Sequence, residues 1–147
     1  MSLVFSPLYA IIDADLLATR VGETAVLSFA ERMAASGVEL LQYRDKRATS
    51  RRFFEISRSL SGALSKFASG AASAPRFIVN DRADVALLAG AGGVHVGQND
   101  LSVEQVRAIV GADRWVGVST HTLEQVEAAN RTSADYIAFG PVFPTAT

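Results

Sequence analysis

Three alternate residues, Gln42, Arg44 and Lys46, end the apolar run Val38-Glu39-Leu40-Leu41. Side chains of a β-strand alternate between its faces. The amide, guanidinium and ammonium therefore share one face with Val38 and Leu40, and Leu41 and Tyr43 share the other. A strand apolar on both faces is buried on both, and a buried face that ends in such donors is costly unless an anion meets it. The planar Arg fork and the compact Lys charge both suit phosphate oxygens. One reading is a phosphate or diphosphate site. The other is a solvated strand end with a salt bridge to Asp45 or a neighbour.

Carboxylates and hydroxyls follow at comparable places. Asn80-Asp81 closes one apolar run, and Asp100 lies just past another, in Gly97-Gln98-Asn99-Asp100. Two carboxylates beside an anion site suit Mg²⁺, which takes one or two carboxylates and leaves its other positions to water and phosphate. Each Asp is equally suited to capping the helix after it. Ser119 and His121 have the same parity at the end of a further run. A hydroxyl bonded to phosphate fits Ser119 better than a hydrolase does, since no G-x-S-x-G elbow is present. His95, between Gly93 and Gly97, faces away from Val94 and Val96 and points inward, as a ligand contact or as a core histidine bonded to a neighbour. His95, His121 and Asp100 form a conceivable zinc set, without the close His spacing that would support it. Thr145 and Thr147, after Gly140-Pro141-Val142-Phe143-Pro144, place two hydroxyls to grip a second phosphate, or lie in an ordinary loop.

The elements that carry these residues alternate. Strands are expected at 8–13, 38–46, 77–81, 94–97, 115–119 and 136–140. Helices are expected at 24–36 with Gly37 as C-cap, at 50–68, at 83–91, from Ser102 as N-cap to Val110, and at 122–129. Residues 69–75 read as a surface loop. Strand and helix in alternation imply parallel strands joined by right-handed crossovers. A doubly wound sheet and a (β/α)8 barrel both satisfy this. The barrel is favoured because Asp13, Lys46, Asp81, Asp100 and Ser119 all stand at strand C-terminal ends, which converge only in a barrel. No open-sheet glycine fingerprint is present.

Composition narrows the classes. The chain has 147 residues, 49% of them hydrophobic, a formal net charge of −1 and no cysteine. The near-zero charge argues against nucleic acid and acidic membrane as partners. The missing cysteine removes disulfides, thiolate metal sites and cysteine nucleophiles. No apolar run approaches the ~20 residues of a membrane span, and the N-terminus lacks a basic signal-peptide region, so a cytoplasmic location is the default expectation.

Taken together, Gln42-x-Arg44-x-Lys46, Val79-Asn80-Asp81, Gly93-Val94-His95-Val96-Gly97-Gln98-x-Asp100-Leu101, Gly117-Val118-Ser119-x-His121 and Gly140-Pro141-Val142-Phe143-Pro144-Thr145-x-Thr147 resemble the thiamine-phosphate synthase family from Leu8 to Thr147. The resemblance implies a (β/α)8 TIM barrel that couples hydroxymethylpyrimidine diphosphate to thiazole phosphate with Mg²⁺, giving thiamine phosphate and diphosphate. It implies that Gln42, Arg44, Lys46 and Asn80 hold the pyrimidine diphosphate. Asp81 and Asp100 would hold Mg²⁺, Ser119 would contact the diphosphate, and Thr145 and Thr147 would hold the thiazole phosphate. Arg44, Lys46 and Ser119 are then the catalytic candidates, and His95 a further substrate contact. The partners implied are these two small molecules, with room for a homo-oligomer. A thiazole tautomerase of the same fold, using His121 as acid/base, is the nearer alternative. A non-catalytic phosphate-ligand module is the other.

Six strands are counted, whereas a (β/α)8 barrel typically runs to roughly 200 residues or more. The expectation is a single domain, residues 1–147, that covers about six βα units and lacks strands 7 and 8. Such a chain is expected to bind diphosphate weakly and to make little thiamine phosphate.

Overall fold

In the computed structural model, which describes residues 6–20, 25–68 and 74–144, apolar runs become strands and amphipathic runs become helices in strict succession. The order is β1 (Tyr9–Asp13), α1 (Ala14–Arg20), α2 (Ala25–Ala35), β2 (Leu40–Arg44), α3 (Ser50–Ser65), β3 (Arg76–Asn80), α4 (Ala83–Leu88), β4 (Gly93–Val96), α5 (Val103–Val110), β5 (Trp115–Thr120), α6 (Leu123–Ala129) and β6 (Tyr136–Phe139). All five strand pairs are parallel, and spatial order follows chain order from β1 to β6.

The sheet is curled into a partial barrel. Neighbouring strands lie about 4.8 Å apart, so the first and last strands of a flat six-stranded sheet would stand about 24 Å from each other. Here the Tyr9 hydroxyl of β1 meets the Tyr136 hydroxyl of β6 at 2.9 Å. One sheet face is thus concave and the other carries the helices. The core lies between sheet and helices, where Ile12, Leu41, Val79, Val94 and Val116 pack against Phe53, Leu60 and Val106. Tyr43 stacks on Phe53 with ring centroids 5.2 Å apart.

Local chemistry explains most element ends. Gly37 takes φ +86°, and the Val38 N–H reaches back to the Met33 carbonyl, a glycine-terminated helix end. Thr49 caps α3, Thr122 caps α6, and Ser102 with Gln105 forms a capping box on α5. Helices α3 and α4 stop at Ser65 and Leu88, earlier than their apolar spacing suggests. Helix α1 was missing from the sequence reading. Asp13 signals it, since its Oδ1 accepts the N–H groups of Asp15 and Leu16 ahead of good helix formers. Val38 also differs from expectation. It precedes β2 and packs in the sheet–helix core with Leu41, not on the face of Leu40, because alternation holds only inside the strand.

Candidate active site at the mouth of the half-barrel

The concave face collects the polar residues. Within β2, Leu40, Gln42 and Arg44 alternate with Leu41 and Tyr43, which face the helices. Register then fixes neighbours: Asp13 opposite Arg44, Asn80 opposite His95, His95 opposite Gly117, and Gly117 opposite Tyr136. Sequence-distant residues thereby line one concave face, from Tyr136 at the start of β6 to Asp13, Arg44 and Asn80 at C-terminal strand ends, where barrels of this kind carry their chemistry.

The first part of this surface is charged. Arg44 Nη1 pairs with Asp13 Oδ2, and Lys46 Nζ pairs with Asp81 Oδ2. The salt-bridge alternative is thus realised for both cations, with Asp13 and Asp81 in place of Asp45. Asp45 instead accepts the Arg47 and Ala48 N–H groups and the Tyr43 hydroxyl. Asp81 has φ +61°, the left-handed region that Asp and Asn tolerate better than most side chains. Burial pushes its carboxyl above the usual range. Lys46 opposes that rise, and the neighbouring Asp100 charge adds to it. A like-charge neighbour marks Asp81 and Asp100 as a pair.

Neither aspartate caps a helix. The N-cap of α4 is Arg82, whose side chain makes no capping bond, and α5 is capped by Ser102. Asp100 Oδ2 accepts the Gly97 N–H at 2.7 Å, which folds the β4–α5 loop back over the strand end. The zinc alternative is not assembled, since no group of three His, Asp or Glu side chains gathers around one point among the described residues.

The second part is neutral, with Gln42 and His95 buried and Tyr9, Tyr136 and Ser119 half-buried. Gln42 Nε2 donates to the Tyr9 hydroxyl, which meets the Tyr136 hydroxyl. Tyr136 lies 3.1 Å from His95 Nδ1, and His95 Nε2 lies 2.8 Å from Ser119 Oγ. Burial pushes the His95 imidazole down to about 4, against a weaker upward pull from Asp100. Burial likewise raises the Tyr9 and Tyr136 phenols. The network exists because Gly117 has no side chain: a Cβ there would run into the Tyr136 ring.

Gln42, Arg44, Lys46, Asn80, Asp81, His95, Asp100 and Ser119 are therefore carried to one mouth. Gln98, beside them, donates from Nε2 to the Ser119 carbonyl. His121 stands just beyond β5 and outside this group. Its Nδ1 meets the Gly140 carbonyl, so Ser119 pairs with His95 rather than with His121. Thr145 and Thr147 lie outside the described residues. Tyr9, Tyr136 and Asp13 were not singled out as partners by the sequence. Parity along 9–13 held the signal, since Tyr9 shares a face with Asp13.

Residues 8–147 match the family model described as thiamine monophosphate synthase. A thiamine-phosphate synthase of Koribacter versatilis is 43% identical over 138 residues, covering 94% of this chain and 62% of the relative. One of Solidesulfovibrio magneticus is 40% identical, with 97% and 64% covered. Among solved structures, thiamine phosphate pyrophosphorylase from Pyrococcus furiosus superposes with a TM-score of 0.76 at 28% identity, covering 93% of this chain and 61% of that one. The chain thus spans about three-fifths of the length of the relatives it matches.

Proposed function

The chain belongs to the thiamine monophosphate synthase family, and from that premise we propose that its mouth couples hydroxymethylpyrimidine diphosphate to thiazole phosphate, releasing diphosphate. One observation carries the reading: Gln42, Arg44, Lys46, Asp81 and Asp100, separated in sequence, converge on one concave edge with the cations held by exchangeable carboxylates.

Both ion pairs are partly open to solvent, and such pairs contribute little stability, so an incoming diphosphate can take the place of Asp13 or Asp81 at low cost. Arg44 and Lys46 then stand where negative charge grows as the carbon–oxygen bond to diphosphate breaks. Preorganised charge at that position lowers the barrier. Ser119 donates its hydroxyl to a diphosphate oxygen. Gln42 and Asn80, on the same concave face, orient the pyrimidine, with His95 beside them. The thiazole nitrogen then captures the pyrimidinylmethyl cation, so no side-chain nucleophile is needed. Thr145 and Thr147 are proposed for the thiazole phosphate.

Asp81 and Asp100 fit Mg²⁺. They offer hard oxygen donors, Asp100 lies close enough for its charge to raise the proton affinity of Asp81, and they leave room for phosphate oxygens. When bound there, Mg²⁺ would neutralise diphosphate charge beside Lys46. No helix among the described residues is long and apolar enough to cross a membrane, and we propose a cytoplasmic setting for the reaction.

The test supplies both substrates and Mg²⁺ to the 147-residue chain. A small yield of thiamine phosphate and diphosphate, matching the weak activity expected of this chain, is the result that supports the reading. Isomerisation of a thiazole tautomer without coupling would transfer the site to the tautomerase reading. Diphosphate binding without turnover would make it a ligand-binding module. Diphosphate affinity unchanged by Arg44→Ala would remove the anion site altogether.

A further inference from the structure

Displacing either carboxylate of the mouth costs little stability, yet the two are anchored differently. Asp13 is the last residue of β1 and stands opposite Arg44 in the parallel register. Its Oδ2 pairs with Arg44 Nη1. Its Oδ1 accepts the Asp15 N–H at 3.0 Å and the Leu16 N–H at 3.4 Å, which pins the carboxylate across the first turn of α1. Arg47 Nε meets Asp15 Oδ1 at 2.7 Å, a further tie between that turn and the chain just past β2. Asp81 has no comparable hold. Its carboxylate takes Lys46 and accepts no backbone N–H among the described residues.

The two cations differ as well. A guanidinium has five N–H donors, and a fork around an anion needs two of them. The Nε and Nη2 donors of Arg44 have no partner among the described residues, and 36% of the side chain is open to solvent. An anion therefore has a whole edge of Arg44 to bind without removing Asp13. The donors of Lys46 share one nitrogen, where an anion and the Asp81 carboxylate compete directly.

We propose that Asp13 is a positioning residue for the anion site: it keeps its bond to Arg44 while diphosphate is bound and holds the Nε–Nη2 edge ready, whereas Asp81 is the carboxylate that gives way. Fixing a long side chain in advance removes an ordering cost that binding otherwise carries. The anion-binding role of Arg44 rests on the function proposed above. The anchoring of Asp13 does not.

Asp13→Asn is the test, since Asn caps a helix as well as Asp does but offers Arg44 no charge. Inorganic diphosphate with Mg²⁺ is titrated by calorimetry into the 147-residue chain. Affinity should fall about fivefold, the worth of one ordered side chain, with the melting temperature near wild type. A rise in affinity would make Asp13 a competitor that the ligand displaces, and an unchanged affinity would leave it no part in the site. Both results overturn the proposal. Coupling to Arg44 is the readout that a merely structural role would not produce. In an Arg44→Ala background, Asp13→Asn should cause no further fall, and a second fivefold loss there means that Asp13 acts through the fold instead. Asp13→Ser, which also caps but is too short to reach Arg44, repeats the measurement independently of how the Asn variant folds. Normal diphosphate binding by Arg44→Ala alone overturns the anion site itself. Binding lost in Arg44→Ala but intact in Asp13→Asn overturns only the positioning role.

Discussion

Opposite ends of this half-barrel use the same ion-pair chemistry for different ends. At the base, Arg107 of α5 meets Asp135 at 2.6 Å and also donates to the carbonyls of Gly111, Arg114 and Ser133. Asp135 in turn accepts the Val116 N–H at 2.7 Å. Four of the five guanidinium N–H groups are bonded, and three-quarters or more of each side chain is buried. At the mouth, Arg44 and Lys46 each meet one carboxylate among the described residues, and half of the Lys46 side chain is exposed. A nearly saturated pair ties elements together. A pair with donors open to solvent can exchange its carboxylate for a ligand. The contrast teaches that saturation and exposure, rather than residue type, separate a brace from a binding site.

The largest effect is expected at the base. Arg107→Ala strands the Asp135 carboxylate and three carbonyls, and should lower stability by about 3 kcal/mol, read from the denaturant midpoint. Diphosphate affinity of the folded protein should not change. A stable variant that has lost diphosphate binding would reverse the roles given to the two ends.

An effect of similar size should come from acid. The folded protein holds the His95 imidazole at about 4, whereas a free histidine titrates near 6.5. Between those values the unfolded chain takes up a proton that the folded chain refuses. Stability from this group is therefore complete above about pH 6.5 and falls toward pH 4, by roughly 3 kcal/mol in total. Urea midpoints at pH 7 and pH 4.5 should show this loss in the wild type and a smaller one in His95→Gln. Equal losses would remove His95 as the cause.

Changes at the mouth should be mild for stability and severe for binding. Lys46→Ala should cost less than about 1 kcal/mol of stability, as exposed pairs do. It should weaken diphosphate binding by about tenfold or more, since bonds to charged groups are worth roughly 1.5–3 kcal/mol. Calorimetry alongside thermal melting separates the two quantities, and a large stability loss with normal binding would make Lys46 a brace.

The smallest stability change should follow Asp81→Asn, because Asn tolerates the same left-handed backbone. Its melting temperature without metal should stay near wild type, while the rise produced by Mg²⁺ with diphosphate should shrink. An undiminished rise would take Asp81 out of the metal site.

Much of this arrangement was legible beforehand because it depends on neighbours in the chain. Period-two alternation in 40–44 assigned Gln42 and Arg44 to one face, and the capping residues Ser102 and Gly37 were readable from local composition. Helix α1 was missed because its seven residues are short and follow the strand directly. The capping alternative for Asp81 and Asp100 could not be rejected in sequence, since capping is decided by which N–H groups the carboxylate reaches.

The sequence by itself determined the alternation of strand and helix, the polar strand ends and the family motifs, because each depends on residues within a few positions of one another. Tertiary structure alone decided which residues became partners. Tyr9 meets Tyr136 across 127 positions, Arg44 selects Asp13, Lys46 selects Asp81, and Ser119 pairs with His95 instead of the nearby His121. Those choices follow from parallel register and from the curl that brings β1 to β6. Hydrogen bonds act over about 3 Å, and only the folded sheet sets which atoms stand that close.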